Sequence, residues 1–244
     1  MSADRMIEFT RDNLEIYLKA AAKEYRKLVN KEIPAELILV GGASVLINYG
    51  FRDMTTDIDA LIKAASCMKD VINTVGDRYG LPNGWLNADF QNTSSYTPKL
   101  FQYSDYYKTY SNIVTIRTVS AEYLVAMKLR SGRQYKNDLS DILGILAEHE
   151  KWNDPLTMIR IRNAYNNLYG DWEMLSERSR HFIENAMQSG HFEDLYEETI
   201  ADEQKNNDLL INFEQTYPGT ANISNVNEII SELRKRTGKN SEIN

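Results

Sequence analysis

Apolar positions recur along this chain in two different rhythms, and the contrast divides it. Ile7, Leu14, Leu18, Ala21, Tyr25 and Leu28 fall three, four or seven residues apart, the single apolar stripe of an amphipathic helix over residues 4–30. Pro34 then ends helical geometry, because it lacks the N–H and its ring clashes with the preceding turn. Leu37 to Val40 is a continuous apolar run with the signature of a buried strand, closed by Gly41-Gly42. Residues 43–49 have room for a short helix, and Gly50 stands where a C′ glycine would end it. Ile58 to Ile62 predicts a second strand and residues 66–79 a further helix. From Gly80 to Tyr110 the Gly, Pro, Asn, Ser and Tyr content predicts loop, with a short strand at 99–103. Ile113 to Val119 alternates apolar and polar, as a half-buried strand does. Ser120 is placed to cap a helix reaching about Ser131, with Glu122 in its first turn, and another helix follows over about 137–150.

Beyond Pro155 strand signals disappear. Residues 155–169, 172–188, 191–215 and 224–237 read as helices, punctuated by Gly170, Gly190 and Pro218-Gly219, with Ser224 as an N-cap and a frayed tail from Gly238. The expected architecture is α/β (α+β): a small mixed sheet in residues 1–150 and a helical C-terminal part in 151–244.

The chemistry concentrates in residues 37–62. Asp57 and Asp59, two apart at a strand, leave the same face. Paired carboxylates resist ionising side by side without a cation, and Mg²⁺ or Mn²⁺ between them suits phosphoryl chemistry. Gly41-Gly42 joins strand to helix, where a bare backbone approaches phosphate closely and free N–H groups point at it. Strand, Gly-Gly, short helix, loop and Asp-x-Asp together form a device for a nucleotide and its metal.

These residues resemble the signature of the DNA polymerase β-type minimal nucleotidyltransferases, most closely the abortive-infection toxin-type branch. The resemblance covers about residues 35–148 and includes Gly50-Phe51-Arg52 and Thr55-Thr56 ahead of the aspartates. It implies metal-dependent transfer of an NMP from an NTP to an acceptor hydroxyl on a tRNA, a protein or a small molecule. It also implies Asp57 and Asp59 as metal ligands, and Gly41, Gly42, Ser44, Arg52, Thr56 and Lys128 as nucleotide-binding residues. An antitoxin protein is the partner such a toxin would carry. The loop of 14 residues between Gly42 and Asp57 is slightly longer than the family window, and Gly stands where Ser is also common.

In a second block, residues 118–146, Lys128 shares a helical face with Ala121, Leu124 and Val125, so its ammonium either snorkels or meets phosphate. The resemblance pairs such a lysine with a later aspartate, here Asp138 or Asp141. Rotation of about 100° per residue puts Asp138 roughly 70° and Asp141 roughly 130° from the centre of the apolar face, which favours Asp138 as a catalytic residue. The strand 113–119 offers no third carboxylate; Asp89 is an alternative. A partner-binding or nucleotide-sensing module that keeps the fold without turnover is the competing reading.

Composition narrows the classes. One cysteine, Cys67, excludes an intrachain disulfide, and His149, His181 and His191 are too few and scattered for a Cys/His metal cluster. No apolar run is long enough for a transmembrane helix and the N-terminus is charged, so a cytoplasmic protein away from membranes is expected. A net charge of −7 disfavours broad, sequence-blind nucleic-acid binding while leaving room for a local basic patch. Tyr103, Tyr106, Tyr107 and Tyr110 could stack bases, but their setting favours loop packing. Acidic residues between Glu193 and Glu203 read as a solvated helix face.

Overall fold

A computed structural model of the chain describes residues 7–222 and 225–241. The part of the first helix expected at 4–6, the N-cap expected at Ser224 and the last tail residues, 242–244, lie outside the described residues. The described residues form two compact units, 7–130 with 156–175, and 131–155 with 176–222 and 225–241.

The first unit is built on a mixed five-stranded sheet with strand order β3-β2-β1-β5-β4. Its strands are β1 Ala35–Leu39, β2 Ile58–Lys63, β3 Leu86–Asn87, β4 Ser104–Tyr110 and β5 Val114–Val119. β1 runs antiparallel to β2 and parallel to β5, β2 runs parallel to β3, and β4 runs antiparallel to β5. Helix α1, Arg11–Leu28, starts later than its stripe suggests. Residues before it are extended instead, because Phe9 exchanges backbone hydrogen bonds with Thr55 at 2.7 and 2.9 Å. Thr10 then caps α1 in a reciprocal box with Asn13. The stripe buries Leu14, Leu18, Ala21 and Tyr25 with α3, Met68–Tyr79, against the sheet face of Leu37, Leu39, Ile58, Ala60, Val114 and Ile116. Each fully buried aliphatic or aromatic side chain contributes roughly 1.5–3 kcal/mol, so this cluster is the main source of the unit's stability. Tyr25 keeps its hydroxyl satisfied by accepting from the Ala65 N–H at 3.0 Å.

Two local expectations are corrected. Helix α2 spans Gly41–Asn48 and leaves through an extended Tyr49; Gly50 is not left-handed, so chain direction changes at Tyr49 without a glycine cap. The stretch expected as loop with a strand at 99–103 contains a 3₁₀ turn there, Pro98–Gln102, followed by the strand β4. The loop after β4 is a tight hairpin in which Ser111 and Asn112 both have φ of 53°, the left-handed pair whose twist suits antiparallel strands. Tyr106, Tyr107 and Tyr110 are therefore strand residues. Helices α4, Ala121–Ser131, and α6, Met158–Tyr169, and the 3₁₀ turn Trp172–Met174 follow in the first unit.

The second unit contains α5 Asp138–Lys151, α7 Glu177–Ser189, α8 Phe192–Thr216 and α9 Val226–Ser241. α5 packs along α8. It is buried around nearly its whole circumference, from Asp138 through Ala147 with only Leu139 half-covered.

Candidate active site

The candidate site is the end of the sheet where β1 finishes and β2 begins. β1 hands over to α2 through Gly41, whose φ of +54° is a conformation that side chains resist. A Cβ at Gly41 would meet nothing within 4 Å, so this turn presents bare backbone to open space. Val40 donates its N–H to the Asp59 carbonyl at 3.0 Å, which brings the Gly-Gly turn beside the second aspartate. Asp57 is exposed immediately before β2, Ile58 is buried, and Asp59 is half-buried on the strand, so both carboxylates lie away from the α1–α3 core.

The 52–57 loop closes over Gly42. A Cβ there would stand 2.7 Å from Thr55 Oγ1 and 3.1 Å from Arg52 Nη2, so any side chain at this position displaces Thr55 or Arg52. Thr55 Oγ1 lies 3.2 Å from the Asp57 carbonyl and 3.3 Å from Asp57 Oδ1, positioned to donate to either. Arg52 is held in turn by its Nε donating to the Met54 carbonyl at 3.0 Å. Gly42, Arg52, Thr55 and Asp57 thus form one contiguous group, anchored from outside by the Phe9–Thr55 backbone pair. Thr55 is the member that spacing arguments passed over in favour of the exposed Thr56. Its signal was the isolated pairing with Phe9, which no periodicity reveals. Ser44, in the first turn of α2, is fully buried and its hydroxyl has no hydrogen-bond partner among the described residues.

Among the described residues no third carboxylate joins the pair. Continuing the register by one residue past Leu39↔Thr118 sets Val119 beside Val40, and the next residue on that face is Arg117, engaged by Ser104 and Glu36. On the opposite flank Asn87 pairs with Asp59 and accepts from the Asp89 N–H at 2.8 Å, but Asp89 itself is exposed. Among the described residues no three His, Cys, Asp or Glu side chains converge as a metal cage. Two carboxylates still fit Mg²⁺, which completes its shell with waters and substrate phosphates.

A family model described as "Nucleotidyltransferase of unknown function (DUF6036)" matches residues 17–180. The chain belongs to this family. The match encloses the Gly41-Gly42 turn, Asp57, Asp59, Lys128 and Asp138, and with them the whole sheet. Comparisons with curated proteins and with solved structures found no match. Among the described residues of this DUF6036 chain, no helix is long and apolar enough to cross a membrane.

Two further residues weighed from the sequence have defined surroundings. Lys128 lies on α4 in the same unit as the aspartates and is only 5% exposed. Asp138 belongs to the other unit, where Arg133 grips it with Nε–Oδ2 at 2.8 Å and Nη2–Oδ1 at 3.0 Å. Helical angle does not separate it from Asp141, since each is 2% exposed: α5 is covered on several sides. Nearby, Glu203 of α8 caps the start of α5 by accepting from the Leu139 N–H at 2.9 Å. Its other oxygen has no hydrogen-bond partner among the described residues, and burial pushes its carboxyl up to about 7.

Proposed function

We propose that the protein moves a nucleoside monophosphate from an NTP to an acceptor hydroxyl at the β1–β2 end of its sheet, using Mg²⁺ or Mn²⁺ bound to Asp57 and Asp59. The observation that carries this reading is one contiguous path: Gly42 against Thr55 Oγ1, and Thr55 against Asp57, with Asp59 tied to the Gly-Gly turn through Val40. Such a path couples the phosphate cradle to the carboxylates, as transfer at an α-phosphorus requires.

A bound divalent cation would supply Lewis-acid activation and charge neutralisation. The chain's own groups supply the rest. The open backbone at Gly41 and the first N–H groups of α2 receive the triphosphate, and the unpartnered Ser44 hydroxyl is a further donor in that turn. Arg52 and Lys128 offset phosphate charge. Thr55 fixes the Asp57 rotamer. The acceptor oxygen bonds to the α-phosphorus, its proton passes to an aspartate oxygen, and the bond to pyrophosphate breaks. The double ion-bond from Arg133 favours an anchoring role for Asp138 at the start of α5. A toxin held by an antitoxin protein extends this reading, and growth arrest on expression, relieved by Asp57→Asn, is its signature.

A second reading, nucleotide binding without turnover, is favoured by Val119 and Arg117 standing where a strand carboxylate would complete the site. Thermal melting with NTP and Mg²⁺ tests the shared premise. At ligand about 100-fold above Kd the wild type gains about 2.7 kcal/mol. Asp57→Asn with Asp59→Asn loses that gain while melting normally without ligand; a double variant that keeps it ends both readings. Pyrophosphate release then separates them.

A further inference from the structure

At the same end of the sheet as the aspartates, two aromatic rings lie in an unusual arrangement. Tyr103 and Tyr123 are stacked with centroids 3.9 Å apart and planes at 10°. Elsewhere in this protein Phe9–Tyr17 meets edge to face at 89° and Tyr165–Trp172 at 83°. Both stacked tyrosines are half-exposed rather than forced together inside the core.

Topology fixes their place. β4 begins at Ser104, which pairs with Val119, and the Tyr103 carbonyl accepts from the Ser120 N–H at 3.1 Å. Val119 stands level with Val40, and Val40 with Asp59, so the stack is about three strand spacings, roughly 14 Å, from the second aspartate. Tyr123 is held by Asn167, whose Nδ2 donates to its hydroxyl at 2.9 Å, and Lys99 Nζ donates to the Asn167 carbonyl at 2.7 Å. A cation therefore stands on the same hydrogen-bonded chain as the rings, within one compact unit.

A partly exposed ring pair held in place by hydrogen bonds is a surface on which an unpaired nucleobase can stack. We propose that the Tyr103–Tyr123 stack is the acceptor platform: the acceptor is a single-stranded nucleic acid whose base extends the stack while its terminal hydroxyl reaches the Asp57–Asp59 end. This assignment rests on the nucleotidyl-transfer reading and names its acceptor class. It is compatible with the acidic chain because stacking, rather than a field of cations, supplies the affinity.

The test is binding of a fluorescein-labelled single-stranded oligoadenylate RNA to the full chain, beside the same strand annealed to oligouridylate. The single strand binds and the duplex binds more weakly. Tyr103→Leu and Tyr123→Leu each weaken the single strand by roughly 5- to 150-fold. Tyr123→Phe, which keeps the ring, retains wild-type affinity. Affinity falls with salt at a log–log slope on the order of −1, since few phosphates are contacted. The NTP-linked melting shift is unchanged in all three variants. Absence of binding by the wild type, equal binding of duplex, or Leu variants with full affinity would each overturn the platform. If Tyr103→Leu fails to fold, Tyr123→Leu and the strand preference decide. Absence of an NTP shift in the wild type, with the oligonucleotide pattern intact, would instead remove the catalytic reading and with it the acceptor role, leaving the stack a strand-binding surface alone.

Discussion

Gly41 and Gly42 are adjacent, yet physics asks different things of them. Gly41 needs no space but does need a left-handed backbone, so Gly41→Ala costs about 1–2 kcal/mol of stability through strain alone. Gly42 has an ordinary φ, but an added methyl would sit 2.7 Å from Thr55 Oγ1 and push that hydroxyl away from Asp57. Gly42→Ala is therefore expected to shrink the NTP-linked melting shift by more than Gly41→Ala does, even where the two melt alike without ligand. Calorimetry with and without NTP and Mg²⁺ measures both. Glu203 carries a separate prediction. Its carboxyl titrates near 7 in the folded protein instead of the ordinary 4.5, because burial disfavours the charged form. The native state then holds a proton that the unfolded chain has released, so its contribution is full below pH 4.5 and is lost as pH rises through 7. Glu203→Gln, neutral throughout, abolishes this slope. Between pH 5 and 8 the wild type should lose on the order of 1–3 kcal/mol relative to the variant. Parallel pH profiles of the two proteins would contradict it.

Elements with strong periodicity were legible from sequence: α1 from its stripe, β1 from its apolar run, β5 from its alternation, and α6 to α9 from the glycines that separate them. β4 was not. Its seven residues, SDYYKTY, include no aliphatic side chain, since this is an edge strand of the sheet. Its pairing is set instead by the Ser111-Asn112 hairpin, a turn sequence weaker than Asn-Gly. Ser111 pays the steric cost of φ 53°, so Ser111→Gly should raise the melting temperature by about 2–4 °C, and unchanged or lower melting would count against the turn assignment. α5 misled differently. Its charged and small residues imply an exposed side, but Arg133 neutralises Asp138 and Glu203 caps the helix, which lets polar positions be covered. Partners distant in sequence decide this.

For the molecule as a whole, the carboxylate pair and the glycine turn were readable because both sit within one strand–helix–strand passage. The grouping of 156–175 with the sheet, and of 131–155 with α7 to α9, was not, because it depends on contacts between segments of similar helical pattern. The closure of Thr55 over Gly42 also needed the fold, through Phe9 in a segment remote from the motif. Family membership agrees with the motif. The central claim is transfer at Asp57 and Asp59. Its most direct measurement incubates the protein with α-phosphate-labelled NTPs, Mg²⁺ and cell lysate, and follows both labelled macromolecule and released pyrophosphate. Label is expected in a nucleic-acid fraction, with one pyrophosphate per label, and both are lost in Asp57→Asn with Asp59→Asn. Undiminished labelling by that double variant, or NTP binding with no pyrophosphate from any NTP, would contradict it.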